Sequence, residues 1–300
     1  MRTNFINQLI EEARRNEKIF LLVGDLGYHV IEPFAEEFPD RFLNVGIAEQ
    51  NMAGIAAGLA MTGYNVYFYS IGNFPTIRCL EQIRNDIAYH QANVKVVSVG
   101  AGYAYGSLGA THQATEEIGA LRVLPNMVVA TPGDPLEARA ITKISASYDG
   151  PMYIRLGKAG EKTVHSEDSI DLKIGDICSI ITREGNQTAV FACGNILDAA
   201  LHQINEENLN YDLYSVPFVK PINKEQLINI VKTHPAGLIT IEEHQSSCGM
   251  GSAIVEVLND LYYEGDIEVY PKVKRIAIPD EFADVVGTQV FLREHEGLKL

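Results

Sequence analysis

The stretch FLNVGIAEQNMAGIAAGLAMTGYNVYFYSI, residues 42–71, reads as a strand that runs into a helix and out into a second strand. Its ends are rich in β-branched and aromatic residues, which suit a pleated surface, and its middle carries Gly and Ala at helical spacing. The closing segment NVYFYSI is apolar almost without alternation, as expected of a parallel strand covered on both faces. The same pattern repeats outward: IFLLVGD (19–25) before it, then VKVVSVGA (94–101), MVVATP (127–132) and PMYIRLG (151–157), separated by the helical segments PTIRCLEQIRNDIAYHQ and DPLEARAITKISASYDG. A polar, aperiodic run, KAGEKTVHSEDSIDL, interrupts the series, which resumes with TAVFACG, YDLYSVPFV, GLITIEEH and KVKRIAIP. The expected fold class is α/β: two doubly wound domains with mainly parallel sheets, spanning 1–158 and 173–300, joined by a connection over 159–172. Sites in such folds lie at the carboxyl ends of the strands.

Composition narrows the partners. The formal charge of −15 in 300 residues repels a polyanion, so nucleic acid is not an expected partner. No apolar run is long enough to span a bilayer, and the N-terminal MRTNFINQLIEEARRNEK reads as an amphipathic helix and not as a signal peptide. Cys79, Cys178, Cys193 and Cys248 form no CxxC pair and sit on apolar stretches, so buried reduced thiols and a cytoplasmic setting are expected.

Three segments could carry chemistry. Glu49 stands in the first turn of the Gly/Ala-rich helix, where the positive helix end favours a carboxylate, although solvated glutamates are common there. The loop GAGYAYGSLGATHQATEE (100–117) follows a strand and holds His112, with Thr111 a candidate helix cap; it fits neither the P-loop nor the dinucleotide fingerprint. The turn GDLG (24–27) lacks a downstream asparagine at magnesium-motif spacing, so no metal site is assigned.

Taken in order, PDRFLNVGIAEQNMAGIAAGLAMTG, EQIRND, GATHQATEEIGALRVLPNMVVATPGDPLEA and DGPMYIRLGKAG resemble the pyrimidine-binding domain of transketolases, and VKPIN, ITIEEHQSSCGMGSAIVE and ADVVG resemble their C-terminal domain. Nothing resembles the transketolase diphosphate-and-magnesium domain, which split families carry on a separate polypeptide. The resemblance implies thiamine diphosphate as cofactor, magnesium with ligands from a partner chain, an α2β2 assembly, and transfer of a two-carbon ketol unit from a ketose to an aldehyde, often a sugar. Deoxyxylulose-phosphate synthases and 2-oxoacid dehydrogenase beta subunits share a related pattern. A catalytically silent structural subunit is a further alternative, against which the retention of Glu49 and His112 counts.

By the same resemblance, Glu49 contacts the aminopyrimidine and promotes the tautomer whose basic nitrogen strips the thiazolium proton. Phe74 falls where an aromatic stacks on that ring, with an ordinary core phenylalanine as the other reading. His112 faces substrate hydroxyls and the carbonyl oxygen. Lys158 takes the place of a phosphate-binding arginine, Arg2 matches another basic position, and His29 lies near the place of a phosphate-contacting serine. Gly100 replaces a family histidine, and Leu108 replaces an aspartate that accepts a bond from a sugar hydroxyl.

Overall fold

Twelve strands are described in the computed structural model, which covers residues 1–167 and 169–300. They are β1 Ile19–Val23, β2 Phe42–Asn44, β3 Asn65–Ile71, β4 Val94–Val99, β5 Val128–Ala130, β6 Met152–Leu156, β7 Cys178–Ile181, β8 Thr188–Cys193, β9 Tyr211–Ser215, β10 Phe218–Lys220, β11 Gly237–Gln245 and β12 Val273–Ile278. The first sheet runs β10-β5-β6-β4-β3-β1-β2 and the second β12-β11-β8-β9-β7. Pairing is parallel throughout except where β10 meets β5 and β7 meets β9. The α/β, mainly parallel expectation therefore holds.

Continuous apolarity in the central strands has its cause here. Phe68 and Val96 face one buried layer with Met52, Ala53 and Ala56 of the Glu49–Met61 helix, while Tyr67, Tyr69 and Val97 face another with Phe5 and Leu9 of the Arg2–Arg15 helix. Small residues on the Glu49–Met61 helix let it lie close to the sheet.

Four readings of the sequence differ from the structure. YDLYSVPFV is not one strand: Pro217, which has no N–H for a ladder, separates β9 from β10, and β10 crosses to the edge of the first sheet. There the Thr131 N–H donates to the Pro217 carbonyl at 2.7 Å, so residues of the second half of the chain complete the first sheet. PTIRCLEQIRNDIAYHQ is not a regular helix but a 3₁₀ turn (Ile77–Cys79), an α turn (Leu80–Gln82) and a π turn (Ile83–Ala88). Thr111 caps no helix, since the next one begins at Glu117. Cys79 and Cys193 are buried as expected, but Cys178 is half-buried and Cys248 exposed.

Candidate active site

Successive segments at one edge of the first sheet deliver the residues of interest: Phe74 after β3, the 100–114 loop after β4, Lys158 after β6, and Glu49 after β2. All four follow the carboxyl ends of parallel strands. Glu49 is the first residue of its helix and only 2% exposed. Ser70 Oγ donates to its Oε1 at 3.1 Å and Arg78 Nη1 to its Oε2 at 2.9 Å. The Arg78 guanidinium lies 4.2 Å from the centre of the Phe74 ring, and Phe74 meets the His112 ring edge-on at 5.2 Å. Glu49, Phe74 and His112 thus form one contiguous group through Arg78.

Arg78 and Ser70 were not singled out in the sequence. Arg78 stands four residues after Phe74, a spacing that would have been informative only if the segment were known to turn back on itself. The neighbouring Cys79 thiol is pushed up to about 12 by burial, with the Glu49 charge adding to the rise, so it is an inert neighbour and not a nucleophile.

The 100–114 loop is closed at its base by a two-way bond, Gly102 N–H to Ala114 O at 2.9 Å and Ala114 N–H to Gly102 O at 3.0 Å. It encloses Tyr105, Leu108 and His112, so one loop presents all three. Residues of the second half of the chain grip that base. Glu243 accepts from the Tyr103 backbone N–H, from Gln289 Nε2 at 2.8 Å and from Arg293 Nε at 2.6 Å. Arg155 Nη2 donates to Ala114 O at 2.7 Å and to Glu243 O at 3.0 Å, while its Nε pairs with Glu117 at 2.5 Å in full burial. Burial alone would raise the Glu117 carboxyl, but Arg155 and, beyond it, His244 hold it below the ordinary value. Gly102 has φ +57, and a side chain there would run into Glu243.

Leu108 is 55% exposed on this loop and offers only apolar surface. Thr111 Oγ1 lies 3.0 Å from His112 Nδ1, which leaves Nε2 as the nitrogen free to face a ligand. Lys158 Nζ sits 4.8 Å from the centre of the Tyr105 ring. Burial raises the Tyr105 hydroxyl, and the positive charge of Arg2 opposes that rise. His29 is not part of either group: it has φ +65, and its backbone N–H donates to Glu32 at 2.8 Å. In the GDLG turn, Asp25 accepts from Asn44 Nδ2 at 3.0 Å and Tyr28 Oη at 3.2 Å, which holds the turn closed.

Among the described residues, one group of His, Cys and carboxylate atoms falls within 4.8 Å: Glu137, His165 and Cys178. Glu137 already accepts from the Gly133 N–H at 2.6 Å and bonds His165 Nε2 at 2.9 Å, so its two oxygens are satisfied by the protein. Burial lowers the His165 imidazole, but the Glu137 bond and the surrounding carboxylates leave it above its ordinary value, as an ion-pair partner.

Comparison with known proteins gives the family. The family described as transketolase, pyrimidine binding domain, matches residues 1–160, and transketolase, C-terminal domain, matches 179–292. A putative transketolase C-terminal section of Methanocaldococcus jannaschii is 34% identical over 287 residues, covering 94% of this chain and 87% of that protein. One of the subunits of an apulose-4-phosphate transketolase from Phocaeicola vulgatus is 32% identical, covering 99% and 93%. A solved structure described as a split gene transketolase, inactive beta4 tetramer, superposes with a TM-score of 0.84 at 35% identity, covering 99% of this chain and 93% of that one. The chain belongs to the transketolase family, of which it carries the pyrimidine-binding and C-terminal domains.

Proposed function

We propose that the chain is the catalytic C-terminal subunit of a split, thiamine-diphosphate-dependent transketolase, which moves a two-carbon ketol unit from a ketose to an aldehyde acceptor. The observation that carries this reading is the joining of Glu49, Phe74 and His112 into one group at the carboxyl edge of the sheet. A buried carboxylate at a helix start beside a half-buried aromatic ring suits a flat, nitrogen-containing ring that needs both a proton partner and a stacking face. The residues present therefore fit the pyrimidine end of the cofactor. Thiamine diphosphate supplies the nucleophilic carbon and the electron sink.

Within that frame the chain's own groups have separate tasks. Glu49, oriented by Ser70 and Arg78, holds or gives up a proton at the pyrimidine ring. Phe74 fixes the plane of that ring. His112 donates through Nε2 to the substrate carbonyl oxygen or a hydroxyl, with Thr111 setting its orientation. Arg2 and Lys158 take the anionic end of a sugar substrate, and Leu108 lines the wall between. His29 belongs to the same edge of the sheet through its loop after β1, as an outer contact.

Two relatives, one described as a transketolase subunit and the other as a split gene product, support a separate diphosphate-binding chain that brings the magnesium ligands, in an α2β2 assembly. The domain limits go with this reading: 1–158 for the pyrimidine side, 159–172 as connection and 173–300 for the C-terminal domain. No helix described is long and apolar enough to cross a membrane, and a cytoplasmic setting is part of the proposal. The test is the reaction of the assembled pair. Ketol transfer from a ketose without carbon dioxide release supports it, and turnover that requires a 2-oxoacid with carbon dioxide release rejects it.

A further inference from the structure

Glu243 stands near the end of β11, in the second sheet, and is fully buried, whereas the 100–114 loop follows β4 of the first sheet. Three donors converge on its carboxylate: the Tyr103 backbone N–H, Gln289 Nε2 at 2.8 Å and Arg293 Nε at 2.6 Å. An ionised carboxylate is the acceptor such a set needs, because it offers lone pairs on both oxygens and no hydrogen of its own. The same residue reaches the far end of the loop through its main chain. Its carbonyl accepts from Arg155 Nη2 at 3.0 Å, and that nitrogen also donates to the Ala114 carbonyl at 2.7 Å. Both ends of the loop are therefore tied to one residue of the second sheet. Gln289 and Arg293 lie one turn apart on the Gln289–His295 helix, whose Leu292 packs so closely on Gly106 that a methyl group there would overlap it. Gly106 opens the short turn that carries Leu108. His112 comes two residues before the Ala114 anchor, with its N–H bonded to Gly109 O at 3.0 Å.

We propose that Glu243 is a positioning residue for His112: with Gln289 and Arg293 it clamps the 100–114 loop to the Gln289–His295 helix, and so sets where the imidazole stands. The inference rests on the proposed ketol transfer for what His112 does, while the clamp itself is a property of this chain alone. Glu243 acts through the Tyr103 and Ala114 backbone and not on the reacting atoms. Its charge matters beyond its shape. A glutamine of the same size would turn an NH2 toward one of the donors, so at least one bond of the clamp is lost. A small shift of the loop is enough, because a positioned group displaced by about 1 Å can lose on the order of a hundredfold in rate. Glu49 is held by Ser70 and Arg78, on other segments, and lies outside the clamp.

The experiment pairs hydrogen exchange of the full chain, read on peptides of the 100–114 loop, with kinetics of the enzyme assembled with its diphosphate-binding partner. In Glu243→Gln the loop amides should exchange about tenfold faster or more, the scale of one lost charged hydrogen bond, with β3 and β4 unchanged. In the assembled enzyme kcat for ketol transfer should fall by about tenfold to a hundredfold, with a smaller change in KM. Exchange of the cofactor's reactive proton, which reports on Glu49, should stay at the wild-type rate. Arg293→Gln should give the same pattern to a smaller extent, and Arg293→Lys, which keeps a cation, should recover part of the loss. A folded Glu243→Gln chain with wild-type loop exchange overturns the proposal, as does an enzyme in which proton exchange slows as much as ketol transfer. Failure of both Glu243→Gln and Arg293→Gln to fold also overturns it, since the contact would then support the whole second sheet and not one loop. The two readings fail separately. A wild-type pair that transfers no ketol unit rejects the function while loop exchange still decides the clamp, and a pair that transfers normally with Glu243→Gln in place rejects this inference alone.

Discussion

Glu49 has the environment of a working carboxylate: 2% exposed, at a helix start, and bonded on both oxygens by groups that do not otherwise need it. Its partner Arg78 is 43% exposed at the side chain, so the pair lends little to stability and its loss should be tolerated by the fold. Glu49→Gln is therefore expected to leave the melting temperature within a few degrees while lowering ketol transfer in the assembled enzyme by about a hundredfold or more, the scale of a lost acid–base group. Hydrogen–deuterium exchange at the cofactor's reactive carbon checks the assignment, since exchange at the wild-type rate would place the proton relay elsewhere. Leu108 makes the opposite kind of case. At 55% exposure its replacement by Asp should change stability by no more than about 0.5 kcal/mol. An apolar wall rejects an added hydroxyl by only about a hundredfold, whereas an aspartate can accept from it. Leu108→Asp should thus shift the ratio of kcat/KM toward the hydroxylated member of a matched hydroxy and deoxy substrate pair. An unchanged ratio would show that Leu108 does not meet the substrate.

At the level of elements, the loop that carries Tyr105, Leu108 and His112 is only as rigid as the buried ions at its base. Glu117 and Arg155 are both essentially inaccessible, and each has one further atom without a partner, Glu117 Oε2 and Arg155 Nη1. Removing one charge leaves the other stranded, which costs about 3–5 kcal/mol. Glu117→Gln is expected to cost about 3 kcal/mol in urea unfolding, and Glu117→Gln with Arg155→Met to recover part of that loss, the positive coupling of a buried pair. Equal, additive losses would mean that the two charges do not depend on each other. The sequence announced the elements this loop hangs from: β3, β4, β6, β8 and β11 were each legible as apolar runs, because strands buried on both faces leave that trace. It did not announce β7, whose burial is only partial, nor the passage of β10 into the first sheet, because a three-residue edge strand has no periodicity of its own. Glu49 and His112 were proposed from the family pattern. Arg78 and Glu243 were not, since their importance lies in what a folded loop brings near them and a single chain read in one dimension holds no record of that.

At the scale of the whole molecule, the proposed function makes the chain one face of a site whose other face a partner supplies. In the proposed function Glu49, Phe74 and His112 address the pyrimidine ring and the reacting carbonyl, while the one cluster with metal-ligating atoms among the described residues, Glu137 with His165 and Cys178, has its carboxylate oxygens bonded within the protein. A diphosphate needs a divalent cation and several backbone or cationic donors, and in an acidic chain of net charge −15 such an anion is repelled unless those groups are concentrated close to it. Exposed apolar side chains lie on the segments that border the site, Leu43 and Ile47 before Glu49, Ile77 beside Arg78, and Val286 against Gly109 of the 100–114 loop. Exposed apolar side chains on these segments suit a surface that the proposed partner would cover. The chain by itself is therefore expected to bind thiamine diphosphate with magnesium only weakly and to show no turnover, and addition of the diphosphate-binding chain should restore both together. Calorimetric titration of the chain with cofactor and magnesium, repeated after mixing with the partner, measures this directly. Because binding energy for the diphosphate would be contributed across the interface, cofactor and partner should each tighten the binding of the other by the same factor. Tight cofactor binding by the chain alone, or partner association that is indifferent to cofactor, would show that the site is not shared between two chains.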